Sequence, residues 1–115
     1  MRRYNNMIVY ISGPMTGIEE FNYPLFNSTA KTLREQGHEV INPAEITPLE
    51  ATWNGFMRAD IKALMDADTV LLLPGWEKSN GANAEFYLAE LLDMKIYKFE
   101  SDIELNGALE WNEVV

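Results

Sequence analysis

The sequence contains no cysteine, a single histidine and only 9 basic residues against 18 acidic ones. The absence of cysteine excludes disulfides, thiolate nucleophiles and cysteine-bound zinc. A formal net charge of −9 repels the phosphate backbone of DNA and RNA, so a nucleic-acid polymer is not an expected partner. The spacing of the acidic residues is not typical of metal ligands, and the sequence predicts neither a metal nor another cofactor.

Long hydrophobic runs are also absent. The apolar stretch Met7–Ile11 near the start is far too short for a signal-peptide core or a membrane span, so we expect a cytoplasmic protein that does not enter the membrane. The 115 residues, 47% of them hydrophobic, suffice for one domain with one core. We expect a single domain over 1–115, with its core at about 7–99 and a tail at 100–115 that shows no clear period.

Short apolar segments typical of buried strands alternate with segments of helical periodicity. The predicted strands are Met7–Ile11, Glu39–Ile41, Thr69–Leu73 and Lys95–Phe99. The predicted helices are Leu25–Gln36, a second one that Asn54 caps, and Ala82–Met94, which is expected to bury Leu91 and Leu92. The order βαβαβαβ predicts an α/β fold with a small, mainly parallel, Rossmann-like sheet flanked by helices.

Three predicted loops lie at the carboxyl ends of the strands, where open parallel sheets bind their ligands. They cover 12–17, 42–45 and 74–81 and contain four of the seven glycines, which allow a ligand to approach the backbone closely. None has the glycine spacing of a P-loop or of a dinucleotide-binding motif. Mononucleotide kinases and dinucleotide-dependent dehydrogenases are therefore not expected.

Several residues near these loops have both a structural and a functional interpretation. Glu85 lies in the first turn of the third predicted helix, where it either complements the helix dipole or acts as a partly desolvated carboxylate in a site. Asp60 is either a solvated surface charge or a site residue, and Tyr10 is either a core or a site residue. Trp53 and Trp76 either pack or stack on a base, and only Trp76 lies in a predicted site loop.

Three segments together resemble the nucleoside 2-deoxyribosyltransferases and the related nucleotide N-glycosidases over roughly residues 7–99. They are YISGP from Tyr10, DIKALMDAD from Asp60 and SNGANAE from Ser79. The strings YISGPMTG and LLPGWEKSNGANAE are also similar to a branch of small bacterial and phage-encoded proteins. Because one fold can host many different activities, the resemblance is stronger evidence for the fold than for the activity.

The resemblance implies a nucleoside deoxyribosyltransferase-like fold and cleavage or transfer at the N-glycosidic bond of a nucleoside or nucleoside 5′-monophosphate. In such a site Glu85 is the nucleophile that forms a covalent intermediate, Tyr10 hydrogen-bonds this carboxylate, and Asp60 contacts the sugar and base. The chemistry parallels retaining glycoside hydrolysis. The expected substrate-binding residues are Ser12, Gly13, Trp76, Ser79 and Gly81.

Ser79 distinguishes two branches of the resemblance, because it stands six positions before Glu85. The nucleoside transferases carry an acidic residue there, and the nucleotide hydrolases carry a serine. The serine therefore favours 5′-monophosphates as substrates and hydrolysis slightly ahead of transfer. Against this, Pro14 and Thr16 stand where the nucleotide hydrolases have a hydroxyl and a basic residue.

Two alternatives to an enzyme remain open. One is a non-catalytic module that binds or sequesters a nucleotide, for instance a phage-encoded one, and the other is an interaction protein that keeps only the fold. The resemblance also implies a homodimer or larger oligomer in which a neighbouring subunit closes the cleft. Trp111, in the tail, is the candidate for the lid.

Overall fold

The computed structural model describes residues 6–99 and the backbone of 111–113. This part of the chain forms a five-stranded sheet in the order β2-β1-β3-β4-β5. The strands are β1 (Ile8–Ser12), β2 (Glu39–Ile41), β3 (Thr69–Leu72), β4 (Lys95–Phe99) and β5 (Trp111–Glu113), and the helices are α1 (Tyr23–Glu35), α2 (Trp53–Leu64) and α3 (Asn80–Leu91). The first four strands are parallel, which confirms the predicted α/β fold.

The two central strands, β1 and β3, are covered on both faces, as their uninterrupted apolar sequences predict. Successive side chains of a strand point to opposite faces. Val9 and Ile11 accordingly pack with Phe26 of α1, whereas Tyr10 packs with Leu64 of α2 and Ala89 of α3. Helix α1 therefore covers one face of the sheet, and α2 and α3 cover the other.

The order of the strands reverses between β1 and β3. The chain leaves β1 for β2 on one side, and α2 then carries it back across β1 to β3 on the other side. The loops that follow β1 and β3 consequently diverge, which opens a crevice at the carboxyl ends of these strands.

Side chains cap the starts of α2 and α3, and both starts differ from the prediction. Thr52, not Asn54, caps α2, because its hydroxyl accepts a hydrogen bond of 3.0 Å from the amide of Gly55. Ser79 caps α3 by accepting a hydrogen bond of 3.2 Å from the amide of Ala82. Helix α3 therefore starts two residues before the predicted position, and Glu85 lies in its second turn rather than its first.

The end of α3 and the tail also differ from the prediction. Leu91 and Leu92, expected to be buried, are 63% and 53% exposed, and α3 buries Ala82, Glu85 and Ala89 instead. Part of the predicted tail belongs to the sheet, because β5 pairs antiparallel with β4. The rest of the tail and the side chain of Trp111 lie outside the described residues, so the predicted lid is not tested.

Candidate active site

A cavity of about 450 Å³ lies beside the point where the strand order reverses. The end of β1, the loop that follows it, the start of α1 and the first turns of α2 and α3 form its wall. Its volume is in the range of small-molecule sites. Of the predicted site residues, the structure brings Tyr10, Gly13, Asp60, Ser79, Gly81 and Glu85 together on this wall.

Glu85 is the buried carboxylate of this cavity, with only 4% of its surface exposed. The Tyr10 hydroxyl donates a hydrogen bond of 2.8 Å to Oε2 of Glu85, and the Ser12 hydroxyl donates one of 2.6 Å to Oε1. Both oxygens therefore have a donor, and this arrangement fixes the orientation of the carboxylate relative to the cavity.

The two donors converge because Tyr10 and Ser12 are alternate residues of β1, so their side chains lie on the same face of the sheet. That face packs against α3. Ser12 was predicted to contact the substrate, but it is 1% exposed and lies behind Glu85 rather than on the cavity wall. The structure therefore places Ser12 as a residue that positions Glu85.

Burial controls the protonation of Glu85. It raises the pKa of this carboxyl from the ordinary 4.5 to about 7, although the hydrogen bonds from Ser12 and Tyr10 lower it, and the nearby Asp60 adds a smaller raising effect. Burial also raises the pKa of Tyr10 well above its ordinary range, followed by the effect of the Glu85 charge. Tyr10 therefore stays a protonated donor while Glu85 titrates near neutral pH.

Asp60, on α2, is the second carboxyl of the cavity. Its Oδ1 is buried and no described residue hydrogen-bonds it. Burial raises the pKa of Asp60 from 3.8 to about 6. A buried polar atom without a partner is costly unless water or a ligand satisfies it, so Asp60 is available to hydrogen-bond a bound molecule.

Two glycines allow the cavity wall to approach its neighbours closely. A Cβ on Gly13 would lie 2.8 Å from Cβ of Leu73, and one on Gly81 would lie 3.0 Å from the sulfur of Met57. The first contact involves an atom next to the backbone, which moves less easily than the flexible end of Met57. Glycine at position 13 is therefore a packing requirement at the start of the loop after β1.

Aromatic side chains form much of the wall that faces the carboxyl groups: Phe21, Tyr23, Phe26, Trp53 and Phe56. Trp76, predicted to bind the substrate, instead packs on Phe86 with 5.0 Å between ring centroids and lies outside the wall. Of these two tryptophans, Trp53 reaches the cavity. The sequence favours Trp76 over Trp53 because the predicted loop after β2 ends at Glu45, whereas the segment between β2 and α2 continues to Thr52.

The segment that carries Phe21 has an unusual backbone. Glu20, Phe21 and Asn22 all have left-handed conformations, with φ of 54°, 54° and 62°. Such conformations cost roughly 1 kcal/mol or more for residues other than glycine. The side-chain amide of Asn22 donates a hydrogen bond of 3.0 Å to the carbonyl of Pro14, which ties this segment to the loop after β1 and holds Phe21 at the cavity mouth.

The charges of the wall are all negative. Asp60 and Glu85 are its charged side chains, and no lysine, arginine or histidine is among the described residues that line it. Within residues 6–99, no three acidic or histidine side chains are grouped as metal ligands. None of the described helices has the length and hydrophobicity needed to span a bilayer.

The parallel strand order, with helices on both faces, defines a small α/β protein. A solved structure of a 2-deoxyribosyltransferase from the psychrotolerant bacterium Bacillus psychrosaccharolyticus is similar, with a TM-score of 0.61 and 17% sequence identity over 80% of this chain and 71% of that chain. This similarity confirms the fold that the sequence motifs indicated.

Residues 7–98 match the model of the family described as "Domain of unknown function (DUF4406)", and the chain belongs to this family. No curated protein matches it. The match covers the strands β1 to β4 and the helices between them, and it therefore includes every element of the cavity described above.

Proposed function

We propose that the protein cleaves or transfers at the N-glycosidic bond of a nucleoside or nucleoside 5′-monophosphate, with Glu85 as the nucleophile. The observation that carries this proposal is the buried Glu85 carboxylate, held by hydrogen bonds from Tyr10 and Ser12 on the wall of a cavity of nucleoside size. The fold shared with a 2-deoxyribosyltransferase is consistent with this chemistry.

The first step forms a bond between a carboxylate oxygen of Glu85 and C1′ of the sugar. The bond from C1′ to the base nitrogen breaks, and the base leaves with the electron pair and takes up a proton. Asp60 is the proposed proton donor, because its raised pKa of about 6 leaves part of the population protonated near neutral pH. In the second step, water or an acceptor base attacks C1′ and gives a proton to the Asp60 carboxylate, while the bond from C1′ to Glu85 breaks and releases Glu85 as a carboxylate.

Both roles assigned to Glu85 depend on its surroundings. As a nucleophile it needs to be ionised, and the two hydroxyl donors favour this form. As a leaving group it needs the same stabilisation in the second step. Tyr10 and Ser12 therefore serve both steps, and burial limits the competition from bulk water.

The charges of the cavity wall oppose the phosphate preference expected from Ser79. Ser79 lies on the wall, where its hydroxyl oxygen accepts the hydrogen bond that caps α3 and its O–H can still donate to a ligand. A 5′-phosphate would face two carboxyl groups, and the described wall supplies no basic side chain to offset its charge. We therefore propose that free nucleosides react faster than their 5′-monophosphates, in contrast to the expectation from the sequence.

The test is to incubate the protein with matched ribo- and deoxynucleosides and 5′-monophosphates of each base and to follow the free base by chromatography. Glu85→Gln is expected to lower the rate by at least about a thousandfold, which corresponds to about 4 kcal/mol of barrier. Glu77→Gln, the same change at an exposed carboxylate next to α3, is the matched control and is expected to keep the wild-type rate.

Three outcomes separate the interpretations. If the Glu85→Gln variant releases base at a rate within about tenfold of the wild-type rate, Glu85 is not the nucleophile. Binding without release of base from any compound identifies a nucleotide-binding or sequestering module. If the protein neither binds these compounds nor releases base from them, it is an interaction protein that keeps only the fold.

A further inference from the structure

The cavity has two chemically different sides, because different elements supply its rings and its small residues. The rings come from α1, from the segment just before it and from α2: Phe21, Tyr23, Phe26, Trp53 and Phe56. The start of α3 supplies no ring but small or polar residues: Ser79, Gly81, Ala82 and Glu85. The aromatic side therefore includes Asp60, which lies on α2, and the side of small residues includes Glu85.

This division orients a nucleoside whose C1′ lies beside Glu85. The base leaves the sugar at C1′ and the 5′ group leaves it at C4′, on opposite sides of the ring oxygen, so the two extend in different directions. Flat bases stack on aromatic rings. A 5′-hydroxyl finds a partner in the hydroxyl of Ser79 at the start of α3. The base therefore lies on the aromatic side, next to Asp60.

The rings of the aromatic side are open to a ligand. Trp53 and Phe21 are 55% and 61% exposed, and the ring centroids of Phe21 and Tyr23 lie 6.1 Å apart with an angle of 47° between the planes. The faces of aromatic rings are electrostatically negative, and tilted groups of rings bind organic cations for this reason. The left-handed backbone at residues 20–22 holds the ring of Phe21 in this position.

The charges of the wall also favour a cation over a neutral molecule of the same shape. Asp60 and Glu85 both carry carboxyl groups, and none of the wall residues that the structure describes is basic. Oδ1 of Asp60 is buried without a hydrogen-bond partner among the described residues, so a positive charge beside it offsets the cost of its burial. The net charge of −9 attracts cations to the protein from a distance.

We propose that the substrate of this site is a nucleoside with a cationic base, such as a pyridinium or an N-methylated purine. The base stacks on the aromatic side, and Asp60 supplies the counter-charge. The inference rests on the proposed function, because it names the class of nucleoside that the same site takes. A neutral base of the same shape gains the stacking but not the interaction of its charge with the rings and the carboxylate.

A cationic base simplifies the first step of the reaction. An oxygen of Glu85 forms a bond to C1′, the bond from C1′ to the ring nitrogen breaks, and the electron pair returns to the ring and neutralises it. The leaving base takes up no proton, so Asp60 stays a carboxylate in this step. In the second step water attacks C1′ and gives a proton to Asp60, while the bond to Glu85 breaks and releases its carboxylate.

The cation also acts on the nucleophile. Burial holds the pKa of Glu85 at about 7, which leaves part of the population protonated at neutral pH. A positive charge in the cavity lowers this pKa, because it stabilises the ionised carboxylate. Binding of a cationic substrate therefore favours the form of Glu85 that attacks C1′, and binding of a neutral substrate does not.

The test compares nicotinamide riboside, whose pyridinium ring is permanently charged, with benzamide riboside, in which a carbon atom replaces the charged nitrogen. Isothermal titration calorimetry at about pH 7.5 measures both affinities in the Glu85→Gln variant, which prevents the proposed turnover. We expect the cation to bind at least about thirtyfold more tightly than its neutral counterpart, because it interacts with both the rings and Asp60.

Further substitutions in the same variant separate the two sources of this preference. Asp60→Asn keeps the shape and removes the charge, and it is expected to lower the ratio of the two affinities about tenfold. Trp53→Leu keeps an apolar contact without a ring and is expected to lower the ratio about threefold or more. Tyr87→Leu, at a ring that is 61% exposed but lies outside the wall, is the control and is expected to leave the ratio unchanged. A purely structural effect changes both affinities together and leaves their ratio unaltered.

Equal affinities for the two ribosides, no binding of either, or a ratio that Asp60→Asn leaves unchanged would each overturn the inference. Release of nicotinamide by the wild-type protein, followed by chromatography, tests the proposed function separately. Preferential binding of the cation without release from any nucleoside contradicts the proposed function and supports the cation preference. Release of neutral bases by a protein that binds both ribosides equally has the opposite meaning.

Discussion

Replacing Glu85 with glutamine is expected to stabilise the protein at alkaline pH, although the same change is expected to abolish the proposed activity. Glu85 is 4% exposed, and burial raises its pKa to about 7 from the ordinary 4.5. Between these two pH values the folded protein holds a proton at Glu85 that the unfolded chain releases. The free energy of unfolding therefore falls as the pH rises from about 4.5 to about 7, and it stays reduced above that range.

The size of this effect follows from the two pKa values. Their difference, at about 1.4 kcal/mol for each pH unit, corresponds to about 3 kcal/mol. Glutamine has nearly the same shape and stays neutral, and its carbonyl oxygen accepts the hydrogen bond of Tyr10 or Ser12, while its amide donates to the other hydroxyl. The advantage of Glu85→Gln over the wild type is therefore expected to grow by up to about 3 kcal/mol between pH 4.5 and pH 8.

Urea unfolding followed by tryptophan fluorescence at pH 4.5 and at pH 8 measures this difference. Glu77→Gln serves again as the control, because it makes the same change at an exposed carboxylate outside the cavity. If Glu85→Gln and the wild type show the same dependence of stability on pH, Glu85 is not the desolvated group that the structure describes, and the reasoning fails.

Three further predictions concern the residues around Glu85 and the cavity wall. Tyr10→Phe removes a donor that lowers the pKa of Glu85, so less Glu85 is ionised at neutral pH, where part of Asp60 is still protonated, and kcat is expected to fall about tenfold; an unchanged kcat contradicts the role of Tyr10. Trp53→Ala is expected to raise KM about tenfold with kcat little changed, because it removes a stacking contact with the base of the substrate. A loss of kcat at unchanged KM would argue against stacking. Gly55→Ala is expected to lower the unfolding free energy by about 2 kcal/mol, because the added Cβ overlaps the carbonyl oxygen of Glu50. Thermal unfolding measures this loss, and a variant that unfolds at the same temperature as the wild type would show that the loop before α2 moves freely.

The candidate active site combines two features that oppose each other energetically. Burial gives Glu85 a protected position beside the cavity, but it disfavours the charged form that a nucleophile needs. The hydroxyls of Tyr10 and Ser12 restore part of that stabilisation. The balance near pH 7 makes both the proposed activity and the stability of the fold sensitive to pH in the same range.

The sequence by itself determined the elements and their layering, because these depend on local patterns. Uninterrupted apolar segments such as Thr69–Leu72 form strands covered on both faces, and the alternation of strands and helices requires parallel pairing with crossovers. The segments around Tyr10, Asp60 and Ser79 also sufficed to indicate the fold family.

The tertiary structure alone decided which side chains meet, because residues far apart in the chain approach one another only through the packing of the sheet and helices. Tyr10 and Glu85 are separated by 75 positions and share a hydrogen bond. No local pattern distinguishes Trp53, on the cavity wall, from Trp76, which packs on Phe86. Periodicity predicted that α3 would bury its leucines, but its fully buried residues are Ala82, Glu85 and Ala89, and Leu88 is only partly buried against the core. Leu91 is left exposed as a result, since the depth of burial depends on the space between the layers and not on hydrophobicity alone.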